Sequence, residues 1–124
     1  MKFRVAVLIQ ILLFCSIFAA GVAGTWRGES ICMIKDSPCH DEQVIYHITE
    51  PDREGKLKIQ ADKLVNGKPE DMGTIDCTFD SKTSKLTCPI PRGVFEFAVT
   101  ESRMTGTLKH PDGTLYRKIS LTKD

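Results

Sequence analysis

Thr74-Ile75-Asp76-Cys77-Thr78-Phe79-Asp80 runs into the loop Ser81-Lys82-Thr83-Ser84 and returns as Lys85-Leu86-Thr87-Cys88-Pro89-Ile90. Apolar and polar residues alternate on both sides of the loop, which is the period of a strand with one face turned to a core. If Asp80 faces Lys85, then Phe79 meets Leu86 and Cys77 meets Cys88, and Ile75 and Ile90 lie on the same apolar face. Cysteines opposed in this way on an antiparallel pair stand at about the 5.5 Å Cα separation that a disulfide requires. The stretch predicts a hairpin closed by a Cys77–Cys88 bridge, a constraint worth on the order of 2 to 4 kcal/mol.

The same pattern extends in both directions. Leu57, Ile59 and Ala61 alternate with Lys56, Lys58, Gln60 and Asp62, so a strand is expected near 56–65, paired with one near 43–50 through Pro51-Asp52-Arg53-Glu54-Gly55. Asn66-Gly67 is the pair preferred by a type I′ turn, whose two central residues both need positive φ. Further strands are expected near 73–79, 84–90, 93–101, 103–109 and 115–123, with turns at Pro91-Arg92-Gly93 and Pro111-Asp112-Gly113. With an opening strand at 25–34 the count is eight, and no segment keeps a helical apolar repeat for three turns. The fold class is all-β: an antiparallel eight-stranded up-and-down meander. Closure into a barrel would remove both edges, although an open sheet or a two-sheet sandwich has the same periodicity.

Eighteen of the first 23 residues are apolar, which leaves 33 apolar residues among the other 101. Met1 to Arg4 is basic, Val5 to Ala20 is apolar apart from Gln10 and Ser16, and Ala19 to Gly24 is a run of small residues. That is the order of a secretory signal peptide, and its sixteen-residue core falls short of the roughly 20 residues that span a membrane. Residues 1–23 are therefore expected to be removed, with Gly21 and Ala23 at the −3 and −1 positions, and cuts after Gly21 or Gly24 stay open. Cys15 follows Phe14 where a lipoprotein motif needs a small residue, so no membrane anchor is expected to remain. Residues 24–124 then form one secreted or periplasmic domain, expected to be a monomer.

Cleavage takes Cys15 away and leaves Cys32, Cys39, Cys77 and Cys88, an even set that allows three pairings in an oxidising compartment. With Cys77 paired to Cys88, Cys32 pairs with Cys39 across Met33-Ile34-Lys35-Asp36-Ser37-Pro38. Residues 24–124 carry fifteen basic and sixteen acidic groups, which excludes the basic footprint of a nucleic-acid binder and the polybasic patch of a membrane-surface protein.

Ser37-Pro38-Cys39-His40-Asp41-Glu42, with His47 downstream, offers thiolate, imidazole and carboxylate together. His40 and His47 are seven apart and would point to opposite faces of an uninterrupted strand, so no metal is expected. With the cysteines oxidised, no Gly-x-Ser-x-Gly elbow, and adjacent carboxylates that diverge on a strand, no catalytic constellation is expected either. No glycine-rich phosphate loop is present, and no cofactor is expected.

The segment that remains opens with Gly24-Thr25-Trp26, and the last strand contains Leu115-Tyr116-Arg117-Lys118-Ile119. These ends resemble the calycin superfamily of lipocalins, fatty-acid-binding proteins and avidins. The resemblance implies a closed lipocalin-like barrel in which the indole of Trp26 fills the closed end and a basic residue of the last strand, here Arg117, packs over it. It also implies a small apolar ligand in the barrel mouth, with Tyr46, Ile59, Phe79, Phe95, Phe97 and Met104 as candidate lining and Ile48, Leu57 and Val99 beside them. Such a barrel is just wide enough either to pack its own side chains or to hold one small ligand, and 33 apolar residues favour a mostly filled interior with a shallow pocket. Gly24 to Glu42 also resembles small exported bacterial proteins of unknown function, which implies no activity. The alternative expectation is an exported inhibitor or envelope interaction protein that contacts an exported partner through the rigid 32–42 loop.

Overall fold

The computed structural model describes residues 21–124, so the apolar core of the signal reading lies outside the described residues. Eight strands follow in order: β1 (Gly24–Cys32), β2 (Glu42–Ile48), β3 (Lys56–Val65), β4 (Lys68–Asp80), β5 (Lys85–Ile90), β6 (Gly93–Val99), β7 (Arg103–Lys109) and β8 (Leu115–Lys123). Each pairs antiparallel with its neighbour in sequence, and β8 pairs with β1, so the meander closes into a barrel. Closure separates this arrangement from the open sheet and the sandwich. Alternate residues of every strand point inward, and Trp26, Ile59, Leu86, Met104 and Leu121 are fully buried.

The deciding hairpin has the expected register, with Asp80 opposite Lys85 and Phe79 opposite Leu86. Cys77 and Cys88 are bonded at a Cα separation of 4.2 Å, and Cys32 is bonded to Cys39 at 5.8 Å. Asn66 and Gly67 have φ of 52° and 77°, as a type I′ turn requires.

One strand is longer than the sequence pattern indicated. β4 begins at Lys68, directly after the turn, rather than at 73. The first residues, Lys68-Pro69-Glu70-Asp71, are all exposed and show no alternation to read. Pairing nevertheless continues, with Val65 opposite Lys68 and Leu64 opposite Pro69, up to an irregularity where Ala61 faces Gly73 and Asp62 faces Asp71. Met72 is the extra residue there, and Gly73, at φ 108°, supplies the backbone conformation of the bulge.

The two ends of the barrel differ. At the end holding Gly24, Asp80 and Lys123, Trp26 donates its Nε1–H to the carbonyl of Val22 at 2.8 Å, and the Val22 side chain is buried in the core. Lys123 Nζ lies 5.6 Å from the Trp26 ring centroid and donates to the Gly21 carbonyl at 2.6 Å. The cation over the indole is thus Lys123 and not Arg117, a correction to the expected pair. Register explains it: Trp26 sits opposite Lys123, whereas Arg117 sits opposite Cys32. Six residues of strand, roughly 20 Å, separate the two positions along β8.

Candidate functional site

Arg117 occupies the other end of the barrel. It faces inward with Ile119 and Leu121, and its guanidinium is almost covered. Nη1 donates to the Ser30 carbonyl and hydroxyl, both at 3.2 Å, and to the His40 carbonyl at 3.0 Å, while Nη2 meets Glu42 Oε1 at 3.1 Å. An inward charge is tolerable where every partner is an acceptor oxygen and one of them is a carboxylate, since the ion would otherwise be buried unpaired. Arg117, Ser30 and Glu42 thereby make a polar wall on the β1, β2 and β8 side of this end.

That wall also fixes the disulfide loop. Asp41 Oδ1 accepts from the Cys32 amide at 2.9 Å, Met33 N–H donates to the Tyr116 carbonyl at 2.9 Å, and Ser37 Oγ accepts from the Cys39 amide at 2.9 Å. Met33 stays exposed on the loop surface.

The opposite side is apolar and less tightly closed. β4 and β5 pair through only three residue pairs, Thr78–Asp80 against Lys85–Thr87, where every other seam has five or more. Beyond them the Cys77–Cys88 bridge clamps the two strands together. Past the bridge lies a cavity of about 210 Å³, walled by Tyr46, Ile59, Ala61, Met72, Gly73, Ile75, Ile90, Phe95 and Phe97. Phe95 and Phe97 stack with centroids 5.9 Å apart, and Tyr46 meets Phe97 edge to face at 6.1 Å. These are favourable aromatic geometries that hold the wall rigid. Larger depressions, of about 560 and 490 Å³, lie on the outside of the barrel, one between the 51–55 loop and residues 78–82, the other across β1, β7 and β8. Apart from the bulge residues Met72 and Gly73, the 210 Å³ space is walled by residues of the core and of the row packed against it, together with Ile90.

Of the six candidate lining residues, Tyr46, Ile59, Phe95 and Phe97 meet at this cavity. Met104 is fully buried core, and Phe79, packed against the core and half-buried, borders the depression beside the 51–55 loop, on the far side of the disulfide from the cavity. Ile48, Leu57 and Val99 are also core. The pattern alone missed Ala61, Met72, Gly73, Ile75 and Ile90 as a lining set. An isolated glycine after a large apolar residue inside a strand is a bulge signal that could have placed Met72 and Gly73.

Burial holds the Tyr46 phenol well above the ordinary tyrosine range. The nearby Glu42 carboxylate raises it further, and Arg117 opposes in part. Tyr46 is therefore a neutral hydroxyl at any physiological pH.

On the outer face, Thr25 Oγ1 lies 3.5 Å from His47 Nδ1, and His47 Nε2 lies 3.2 Å from Asp62 Oδ2. Gln60 Nε2 donates to Asp62 at 2.6 Å and to Asp71 at 3.0 Å, and that amide with the Gly73 N–H holds the Asp71 carboxyl below the usual carboxylate range. Hydroxyl, imidazole and carboxylate follow in order, but on an exposed row of the sheet. The adjacent strands run in paired ladders, which leaves no converging amides for an oxyanion. His40 is remote from this row, in the loop bound by Arg117. Among the described residues no three His, Cys, Asp or Glu groups converge on a metal position.

Comparison with known proteins finds no matching family model, no matching curated protein and no matching solved structure.

Proposed function

We propose that this chain is an exported binding barrel of lipocalin-like type that takes a small apolar ligand into the cavity beside the β4–β5 seam. The observation that carries the reading is the 210 Å³ aromatic-walled space itself, in a domain with few apolar side chains to leave unpacked. The signal-like leader and the two disulfides support export to an oxidising compartment. The size of the space sets the ligand class: a cavity of about 150 Å³ suffices for benzene, so this one suits a ring or short chain rather than a long lipid.

Toluene is the direct probe. Its addition is expected to shift the methyl resonances of Ile59, Ile75 and Ile90 in carbon-resolved NMR spectra while those of Leu57 and Leu121 stay in place. Ala61→Phe and, separately, Ile75→Phe are expected to fill the space and abolish the response in a protein that still melts cooperatively. Toluene that leaves all three isoleucine methyls unmoved would sink the proposal.

A second reading rests on the 33–41 loop, which is anchored by Cys32–Cys39, Asp41 and Arg117 and presents exposed Met33. A loop ordered in advance loses little entropy on docking, which suits an inhibitor or an envelope interaction protein. Replacing 33–37 by a short turn is expected to leave the melting temperature within a few degrees and to abolish inhibition of any exported hydrolase that the intact protein inhibits. Unchanged inhibition would remove the loop from consideration.

A further inference from the structure

The cavity is covered toward the end of the barrel and thin at its side. Val44 and Leu108, the last apolar residues of the inward row before that end on β2 and β7, are buried. Of the wall residues, Ile59 and Phe97 are buried, Ile75 and Ile90 half-buried, and Met72 and Gly73 exposed. The opening therefore lies at the β4 bulge, beside β5. There β4 stands alone on its β5 flank: among the described residues it has no ladder partner on that side from Lys68 to Asp76. Backbone alternation explains why the seam stops. Phe79 donates its N–H to the Gly55 carbonyl, on the β3 flank, so Thr78 and Asp76 turn theirs toward β5. The Ser84 carbonyl accepts from Val99, beyond the end of β6, so Lys85, Thr87 and Pro89 face β4. Extending the register of Thr78 opposite Thr87 puts Asp76 opposite Pro89 and Ile75 opposite Ile90. The next N–H owed to β4 is that of position 89, and proline has none. The Cys77–Cys88 bridge holds the strands on one side of that point, and toward Ile75 and Ile90 no ladder pair joins them.

Resting on the cavity-binding proposal, we infer that the ligand enters from the side of the barrel, between β4 and β5, rather than through its end. Pro89 keeps this passage unzipped and Met72 covers it. Met72 suits a cover, because an unbranched thioether chain that is 44% exposed can swing aside at little cost. The other seams that border the cavity are closed: β2 pairs with β3 out to Val44 and Lys63, β3 with β4 out to Val65 and Lys68, and β5 with β6 out to Ile90 and Gly93.

Toluene exchange at the Ile59 methyl, read from line shapes across a titration of the oxidised protein, gives the association and dissociation rates. Met72→Ala is expected to raise the association rate about fivefold or more, since a passage that must first open slows binding. Pro89→Thr supplies the missing donor. Its new N–H at position 89 is expected to be protected from hydrogen exchange, and both toluene rates are expected to fall about fivefold, with the dissociation constant within about twofold. A filled or distorted cavity would instead change the dissociation constant. Replacing 33–37 by a short turn loosens the covered end of the barrel and is expected to leave both rates within about twofold. Side entry would be overturned, with the cavity reading left standing, by an association rate that Met72→Ala does not raise or by faster exchange in the short-turn variant. An unprotected N–H at position 89, or a protected one with unchanged rates, would likewise overturn the role of Pro89. Toluene that moves no isoleucine methyl would overturn entry route and cavity reading together.

Discussion

A barrel that begins at Gly24 is expected to be less stable than one that begins at Val22 by about 3 kcal/mol, an amount that combines one buried valine with one lost indole partner. Val22 is 1% exposed and belongs to the core, and its carbonyl accepts the buried Trp26 Nε1–H. Deleting it opens a hole under the largest side chain of the core and orphans a buried donor. Urea unfolding of the two oxidised proteins reads the difference directly, and at about 4–8 °C per kcal/mol the thermal shift is more than ten degrees. A difference under about 0.5 kcal/mol would show that Val22 is dispensable. The result bears on processing. A cut after Gly21 has Ala19 and Gly21 at the −3 and −1 positions, keeps Val22, and is as acceptable by residue size as a cut after Ala23. On the proposed export, the mass of the processed product is expected to correspond to a chain starting at Val22.

Arg117→Ala is expected to cost about 3 to 5 kcal/mol, because it leaves Glu42 partly buried without its cation and unpins the disulfide loop from β8. The Glu42→Gln, Arg117→Met double variant is expected to recover more than half of that loss, since the methionine restores the stem of the side chain and no charge remains to be matched. Denaturant midpoints of the wild type, Glu42→Gln, Arg117→Met and the double variant form the required cycle, with Arg117→Ala measured beside it. An Arg117→Ala protein within about 1 kcal/mol of wild type would mean that water or a rearranged loop replaces the guanidinium.

Local periodicity carried the architecture because hairpin register and side-chain face follow from spacing alone. The Cys77 and Cys88 pairing follows from the four-residue loop between Asp80 and Lys85, and the 32–39 bridge then follows by elimination. Long-range register is a different matter. Whether Arg117 or Lys123 covers Trp26 depends on how β8 slides along β1, two strands that never neighbour each other in the sequence. Both are cations on the inward face of one strand, and only the register tells them apart. The cavity was half legible for a related reason. Tyr46, Ile59, Phe95 and Phe97 could be assigned to the interior by alternation, but their height in the barrel could not, so Phe79 and Met104 were grouped with them although the disulfide and the core separate them from the space. Met72 escaped notice because the bulge at Gly73 interrupts the alternation that would have placed it.

Seven of the eight seams join strands adjacent in sequence, and the eighth joins the first strand to the last. One of its links, Arg27 Nε to Asp124 Oδ2 at 2.8 Å, spans 97 positions. The ring therefore stays an open ribbon until the last nine-residue strand arrives, while β1, the first strand to be synthesised, waits with one side of its backbone unpaired. Contacts of such range place folding in the slow regime of β proteins, milliseconds to seconds, with the exposed flanks of β1 and β7 vulnerable to wrong partners throughout. A chain broken off before Leu115 would lack the strand that joins them and would present two sticky edges instead of none, which makes the C-terminal strand the gatekeeper of solubility as well as of closure.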